Sequence, residues 1–465
     1  MTSPTLRTHT LGCKVNQYET EFLREGLLGI GYTDARDSEP ADLCVVNTCT
    51  VTAEGDSKSR QVIRRLAREN PASKIVVMGC YATRAPEEVA ALPNVTEVLT
   101  DKRELGDLLG RFGVTDVPTG ISGFGRRHRA YVKVQDGCLL RCSFCIIPHV
   151  RPALASRPVP HILDEARRLV DGGYREIVLT GIHLGHYGVD FNLRAAKEHW
   201  TRLSHLVSAI AELPGDFRVR LSSIEATEVT RELIDVMAAN PQRICPHLHI
   251  SMQSGSDSVL RRMRRRWGSR RFLDRCDLLR TRLDRPAITT DVIVGFPGET
   301  DAEFAETVAV CRQAGFSKIH IFPFSARRGT PAATLPAQLP KQLKHERVKA
   351  LAAVEAALRD EYFDSLRGMR LLVLVEGEAP PQRAGSSPTP APQSSSDPPP
   401  AKGGARGGSP DASLKQGPSG RIPNASLVGT SCRYANVELP AGSAAPGDFV
   451  EVTAGAGVEG RILGV

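Results

Sequence analysis

Nowhere in its 465 residues does the chain hold an apolar run near the roughly 20 residues a membrane span needs. The opening stretch, MTSPTLRTHT, lacks the apolar segment of a secretory signal. The 11 cysteines are odd in number and scattered, without the dense even spacing of a secreted disulfide scaffold. Paired CxxC knuckles, the usual mark of structural zinc, are also missing. These absences speak against a membrane protein and a secreted one. The expectation is a cytoplasmic protein whose cysteines are free, catalytic or metal-bound.

What is present reads as globular: 41% hydrophobic and 24% charged residues. The length exceeds one ordinary core, so two to three domains are expected. A net charge of +8 suits a polyanionic partner such as nucleic acid. The arginine-rich composition of the whole chain accounts for the same sum, so charge alone decides nothing.

Three regions follow from the patterning. Between residues 3 and 118, buried-strand runs such as ADLCVVNTC and SKIVVMGC alternate with helical stretches, predicting a doubly wound α/β domain. Between 124 and 356, six strand candidates alternate with amphipathic segments. Six βα units imply parallel strands with right-handed crossovers, so a partial (β/α)6 barrel is expected rather than a closed eight-stranded one. A long helix at about 340–366 leads to a third region, 366–465, read as a small antiparallel β-barrel. Its residues 378–425 are Pro, Ser, Gly and Ala with few large apolar side chains, and are expected to be a disordered insertion.

The chemistry lies in the cysteines. CLLRCSFC places Cys138, Cys142 and Cys145 just after the first strand of the six-unit region. The C-terminal ends of parallel strands are where such sheets put their active sites. Thiolates this close hold iron–sulfur clusters, usually by four. Three would leave one iron open, as catalytic metal sites leave a position free. The alternative is zinc with a distant fourth ligand such as His149. A second triple is dispersed: Cys13, Cys49 and Cys80 each end a successive predicted strand, so they converge along one sheet edge. Core cysteine is the bland reading there. It suits Cys44, Cys245, Cys276, Cys311 and Cys432, which form no cluster.

With both triples in view, the chain resembles the radical S-adenosylmethionine (SAM) superfamily, through CxxxCxxC and the aromatic Phe144 before its last cysteine. The N-terminal triple, with LGCKVNQYETE, TGIHLGHYG, RLSSIEATE and VIVGFPGET, narrows the resemblance to the methylthiotransferases. The third region is similar to a TRAM domain, an RNA-binding module. GCKVNQYETE is most similar to the MtaB-type branch, which methylthiolates N6-threonylcarbamoyladenosine in tRNA next to the anticodon. The branch acting on isopentenyladenosine usually has Gln and Met after the first cysteine. A third branch modifies a ribosomal-protein aspartate. Ser251, Met252 and Pro152 depart from the usual family residues.

The resemblance implies two 4Fe-4S clusters, one on each cysteine triple, and SAM as cofactor. Reductive cleavage of SAM would give a 5′-deoxyadenosyl radical that takes hydrogen from C2 of the adenine. A second SAM would methylate a sulfide held at the N-terminal triple. An external electron donor and a sulfur source are required. Phe144, Gly181, Ser223, Glu225 and Gln253 are the candidate SAM contacts, against ordinary turn and cap roles. Arg264, Arg265 and Arg266 are candidate tRNA phosphate contacts, and Arg433 and Tyr434 candidate RNA contacts by charge and stacking. The non-enzymatic alternative is a zinc-bearing RNA-binding protein.

Overall fold

A computed structural model describes residues 3–36, 39–125, 127–378, 426–458 and 460–464. The N-terminal sheet contains β1 (Thr5–Thr10), β2 (Thr33–Asp34), β3 (Leu43–Thr48), β4 (Lys74–Gly79) and β5 (Val95–Val98), all parallel, in the order β2-β1-β3-β4-β5. Side chains alternate across a strand, so β3 feeds two cores. Leu43 and Val45 pack with Leu23, Leu27 and Leu108 on one face; Cys44 and Val46 pack with Ile63 and Leu66 on the other. That is the doubly wound arrangement the patterning predicts. The two edge strands, two and four residues long, have no buried side chain and therefore carry no such apolar run.

The central region holds β6 (Arg129–Asp136), β7 (Ala155–Ser156), β8 (Glu176–Gly181), β9 (Arg218–Leu221), β10 (Ser223–Ile224), β11 (His247–Ile250), β12 (Ala287–Val294) and β13 (Lys318–Pro323). Pairing runs β7-β6-β8-β9 and β10-β11-β12-β13, and an isolated parallel bridge, Val219↔Ile244, joins the two halves. Every pair is parallel except β6 with the short β7. β9 and β10 are one strand broken at Ser222, so six parallel strands form the partial barrel. Along β6, Ala130, Val132 and Val134 point outward into the helical layer. By period two, Arg129, Tyr131 and Lys133 point to the opposite, inner face.

A 25-residue helix, Lys341–Ser365, leads to a closed barrel of β14 (Arg370–Glu378), β15 (Leu427–Ser431), β16 (Asn436–Leu439), β17 (Phe449–Val458) and β18 (Arg461–Gly464). The expectation of a fully antiparallel barrel needs one correction: β16 and β18 pair in parallel. A ring of five strands cannot alternate direction throughout, so one parallel seam is unavoidable. The insertion expected at 378–425 lies outside the described residues beyond Glu378.

One buried carboxylate docks this barrel. Glu176, fully buried, pairs with Arg129 at 2.6 Å, Arg218 at 2.6 Å and Arg220 at 2.9 Å. Arg218 donates to the carbonyls of Leu372 and Thr430, and Arg220 to those of Ser431 and Cys432. Among the described residues, no helix is long and apolar enough to cross a membrane.

Candidate active site

The loop after β6 turns at Gly137, where φ is 78° and an added Cβ would lie 1.9 Å from the Ala153 carbonyl oxygen. Only glycine fits that turn. Cys138, Cys142 and Cys145 follow as free, partly exposed thiols. Burial pushes the Cys145 thiol up to about 12, so its ionised form calls for a cation. Two of the sulfurs have nitrogen partners. Arg265 Nη1 donates to Cys142 Sγ at 3.5 Å, and His183 Nδ1 lies 3.5 Å from Cys138 Sγ. Each partner is itself held: Arg265 by Glu225, by the Ser251 carbonyl at 3.1 Å and over the Trp267 ring; His183 by Glu228 at 3.4 Å and by stacking on His186.

A cavity of about 150 Å³ opens on all three sulfurs, and Phe144, Ser223, Glu225 and Gln253 line it. Gln253 adopts φ of 68° there, held by its N–H to Asp291 O and its carbonyl from Ile293 N, both at 2.8 Å. Gly181 stands one residue before Ile182 on that wall. A Cβ on it would come within 3.0 Å of Gln135 Oε1. Gln135 accepts from the His183 N–H and donates to the Gly137 carbonyl, so Gly181 makes room for the side chain that fastens the cysteine loop to the next strand. A second cavity of about 430 Å³ lies across Cys142 and Cys145, with Arg141, His149 and Arg264 on its walls.

The dispersed triple also converges. Cys13 caps the start of helix Lys14–Gly29, Cys49 follows β3, and Cys80 opens the short helix after β4. The Gly12 Cα beside Cys13 is tight against Cys49, whose Sγ would be 3.2 Å from an added Cβ. Cys80 is buried against Ile146 and Val150, which continue the other cysteine loop. Burial pushes the Cys49 thiol up to about 12. Arg151 Nε donates to Cys80 Sγ at 3.5 Å. The same guanidinium binds Glu19 at 2.7 Å and Asp136 at 2.8 Å, and Lys133 shares both carboxylates. Asp136 ends β6, two residues before Cys138. The two triples thus meet across one buried ion network.

Neither triple is compact enough for a single ion. Among the described residues, the group close enough for one is His183, His186 and Glu228, the set that supports Cys138. That spread fits a multi-iron cluster better than the zinc alternative, whose Zn–S bonds of about 2.3 Å draw thiolates close together.

The basic residues sort differently from expectation. Arg264 and Arg266 are exposed and available to a polyanion. Arg265 is not: its side chain is 3% exposed and committed to Glu225 and Cys142. Helix Asp257–Arg262 has ended by that point, and Arg264 takes φ of 58°, which breaks the regular helical register of the run. Arg433 is buried and bonded to Asp284, and Tyr434 stacks on His247 at 4.5 Å with Arg220 over its ring. Both serve the docking of the barrel instead of presenting a stacking surface. His247 Nε2 and His249 Nδ1 lie 3.0 and 3.1 Å from Thr289 Oγ1, a structural role.

Three further cations near the two triples are matched. Arg84 and Arg327 share Asp56, and Lys102 donates to the Gly79 carbonyl and to Thr83. Arg151, His183, Glu228 and Gln135 escaped the sequence reading. The available signal was polar spacing on the first helix: Asn16 and Glu19, one turn apart, are both buried.

Comparison with known proteins agrees with this geometry. Residues 5–100 match the uncharacterized protein family UPF0004 and residues 132–311 the Radical SAM superfamily. The threonylcarbamoyladenosine tRNA methylthiotransferase MtaB of Bacillus subtilis (strain 168) is 42% identical over 390 residues, covering 80% of this chain and 85% of the relative. The MtaB of Chlamydia pneumoniae is 40% identical, covering 83% and 90%. A tRNA-2-methylthio-N(6)-dimethylallyladenosine synthase of Corynebacterium urealyticum is 34% identical, covering 80% and 72%. Among solved structures, the radical S-adenosylmethionine methyltransferase TsrM of Kitasatospora setae, with cobalamin and a 4Fe-4S cluster bound, superposes with a TM-score of 0.52 at 15% identity, over 72% of this chain and 77% of that one. That likeness is one of fold.

Proposed function

The chain belongs to the radical SAM methylthiotransferases, with its MtaB relatives, and from that premise we propose that it methylthiolates C2 of N6-threonylcarbamoyladenosine in tRNA. Cys138, Cys142 and Cys145 would hold one 4Fe-4S cluster, and Cys13, Cys49 and Cys80 the other. When bound, the first supplies reductive cleavage of SAM and the second carries the sulfur to be methylated. The remaining work belongs to side chains. Glu225, Ser223 and Gln253 offer hydrogen-bonding groups to a SAM molecule in the 150 Å³ cavity, with Phe144 on its wall. Arg265 fixes the Glu225 carboxylate and, with His183, directs N–H groups at cluster sulfurs. The walls of that cavity would shield the reaction from water. Exposed Arg264 and Arg266 would contact RNA phosphates. Catalysis requires an external electron donor and a sulfur source, and the tRNA substrate implies action in the cytoplasm.

The observation that supports this reading most is the second triple, joined to the first by Arg151, Glu19 and Asp136. A radical generator alone needs only Cys138, Cys142 and Cys145. The test is the nucleoside content of tRNA from a deletion strain. Loss of the 2-methylthio derivative of N6-threonylcarbamoyladenosine is expected, and complementation by Cys49→Ala should fail. Loss of the isopentenyladenosine derivative instead, as the Corynebacterium relative invites, would overturn the substrate assignment. Unchanged tRNA would overturn the reading altogether.

A further inference from the structure

We propose that Lys14 is a carboxylate-binding subsite that reads the acidic arm of the substrate base, a proposal that rests on the substrate assignment above. Lys14 follows Cys13 and opens the helix that packs on β6. Its ammonium lies 6.0 Å from the centroid of the Tyr131 ring, on the inner face of that strand. It is near enough to act electrostatically on His247, Asp291 and His320, which belong to β11, β12 and β13. Lys14 therefore reaches into the barrel lumen from its open side.

The charge balance there is incomplete. Glu176, the buried carboxylate of the lumen, is already divided among three arginines. Asp291 is engaged by His249 at 3.3 Å. Among the described residues, no carboxylate comes within ion-pair distance of Lys14, whereas Arg151, Lys133, Arg265 and Arg327 each have one. Lys14 is half-buried, and a ligand carboxylate would supply the ion pair that its ammonium lacks. The threonylcarbamoyl arm carries such a group. It is attached through N6 to the same ring as C2, so an arm that reaches Lys14 keeps the reacting carbon near Cys13. A hydrocarbon arm would leave the ammonium unpaired, and the site would select against it.

The test uses anticodon stem-loop RNA carrying the threonylcarbamoyl arm either as the free acid or as its methyl ester. Affinities are measured on the cluster-loaded protein. The wild type should prefer the acid by roughly 10- to 100-fold, the range of a hydrogen-bonded charge. Lys14→Gln should bind both alike, and Lys14→Arg should keep the preference. Lys14→Met serves if Lys14→Gln fails to load iron. Equal affinities of the wild type for acid and ester overturn the proposal without any variant. So does a Lys14→Gln protein whose preference is undiminished. If the wild type does not modify the acid stem-loop at all, the substrate assignment falls first and takes the subsite with it. If it does modify it, only the role of Lys14 is at stake.

Discussion

Replacing Glu176 with glutamine should loosen the C-terminal barrel from the rest of the molecule. The carboxylate is fully buried and neutralises three guanidiniums at 2.6–2.9 Å, two of which cap four barrel carbonyls. Glutamine keeps the shape and one acceptor oxygen but removes the charge. The nearest other carboxylate is Glu376, bound to Arg129 at 3.0 Å and 43% exposed, so it compensates weakly. Breaking a buried pair by deleting one partner costs about 3–5 kcal/mol. The retained hydrogen bond argues for the lower end, and about 3 kcal/mol corresponds to roughly a hundredfold in the docking equilibrium. The assay is proteolysis of the connection at residues 366–369 along a urea series, read by mass spectrometry. Cleavage should begin at clearly lower urea in Glu176→Gln, while Glu376→Gln should shift it by no more than about 1 kcal/mol. The pH dependence follows from the sign of the perturbation. Burial alone would raise the Glu176 carboxyl, but Arg129, Arg220 and Arg218 outweigh it and hold the group well below the usual range. A depressed carboxyl stabilises fully above its unfolded value of about 4.3 and loses that stabilisation only as pH falls through the lower folded value. The gap between wild type and Glu176→Gln should thus be the same at pH 6 and pH 8. An unshifted Glu176→Gln profile, or equal shifts in the two variants, would refute the reasoning.

Arg265→Leu removes the N–H at Cys142 Sγ and the cation beside Glu225. N–H donors and positive charge favour the reduced cluster, so its midpoint potential should fall, which spectroelectrochemistry would show. An unchanged potential would mean the contact has no electronic role. Gly137→Ala would drive a Cβ into the Ala153 carbonyl at a φ closed to alanine. It should lose about four irons from one cluster while the other stays intact, as iron analysis with electron paramagnetic resonance would report. Full iron loading would refute the need for that turn. Arg264→Ala with Arg266→Ala should weaken tRNA binding and reduce the salt slope by roughly one per lost phosphate contact. A slope equal to that of the wild type would remove these residues from the RNA surface.

Both cysteine triples were legible because each rests on a local regularity. CLLRCSFC is a spacing, and Cys13, Cys49 and Cys80 each follow a run whose apolar character marks a buried parallel strand. The supporting residues were not legible, because their partners are remote. Arg151 meets Glu19 across 132 positions, and although Glu19 lies within LGCKVNQYETE, nothing in that stretch names its partner. The run RRMRRRWGSRR shows the same limit from the other side. Its arginines look alike as a string, yet Arg265 is buried between the end of one helix and Trp267 while its neighbours are exposed. Tyr434 and Arg433 had the composition of an RNA surface. That surface is covered by contacts with His247, Arg220 and Asp284 in another domain, which no local pattern anticipates.

The helix Lys14–Gly29 explains why a three-domain chain can act as one site. Its N-cap supplies Cys13, its first residue the ammonium beside the Tyr131 ring, and its first two turns Asn16 and Glu19. Asn16 donates to the Leu11 and Thr48 carbonyls, tying the helix to the loop ends that carry Cys13 and Cys49. Glu19 binds Arg151 and Lys133, tying it to the radical-site domain. A shift of the helix would therefore move one thiol and the ion network under Cys138 together. Sulfur transfer to a carbon activated by a short-lived radical demands a fixed separation between the two sites, since reacting groups must be held in place to within about an ångström. A buried ion network with its hydrogen bonds satisfied is rigid and directional in a way that an apolar interface is not. That is the physical reason for so much charge at this interface, where apolar packing would have served stability alone.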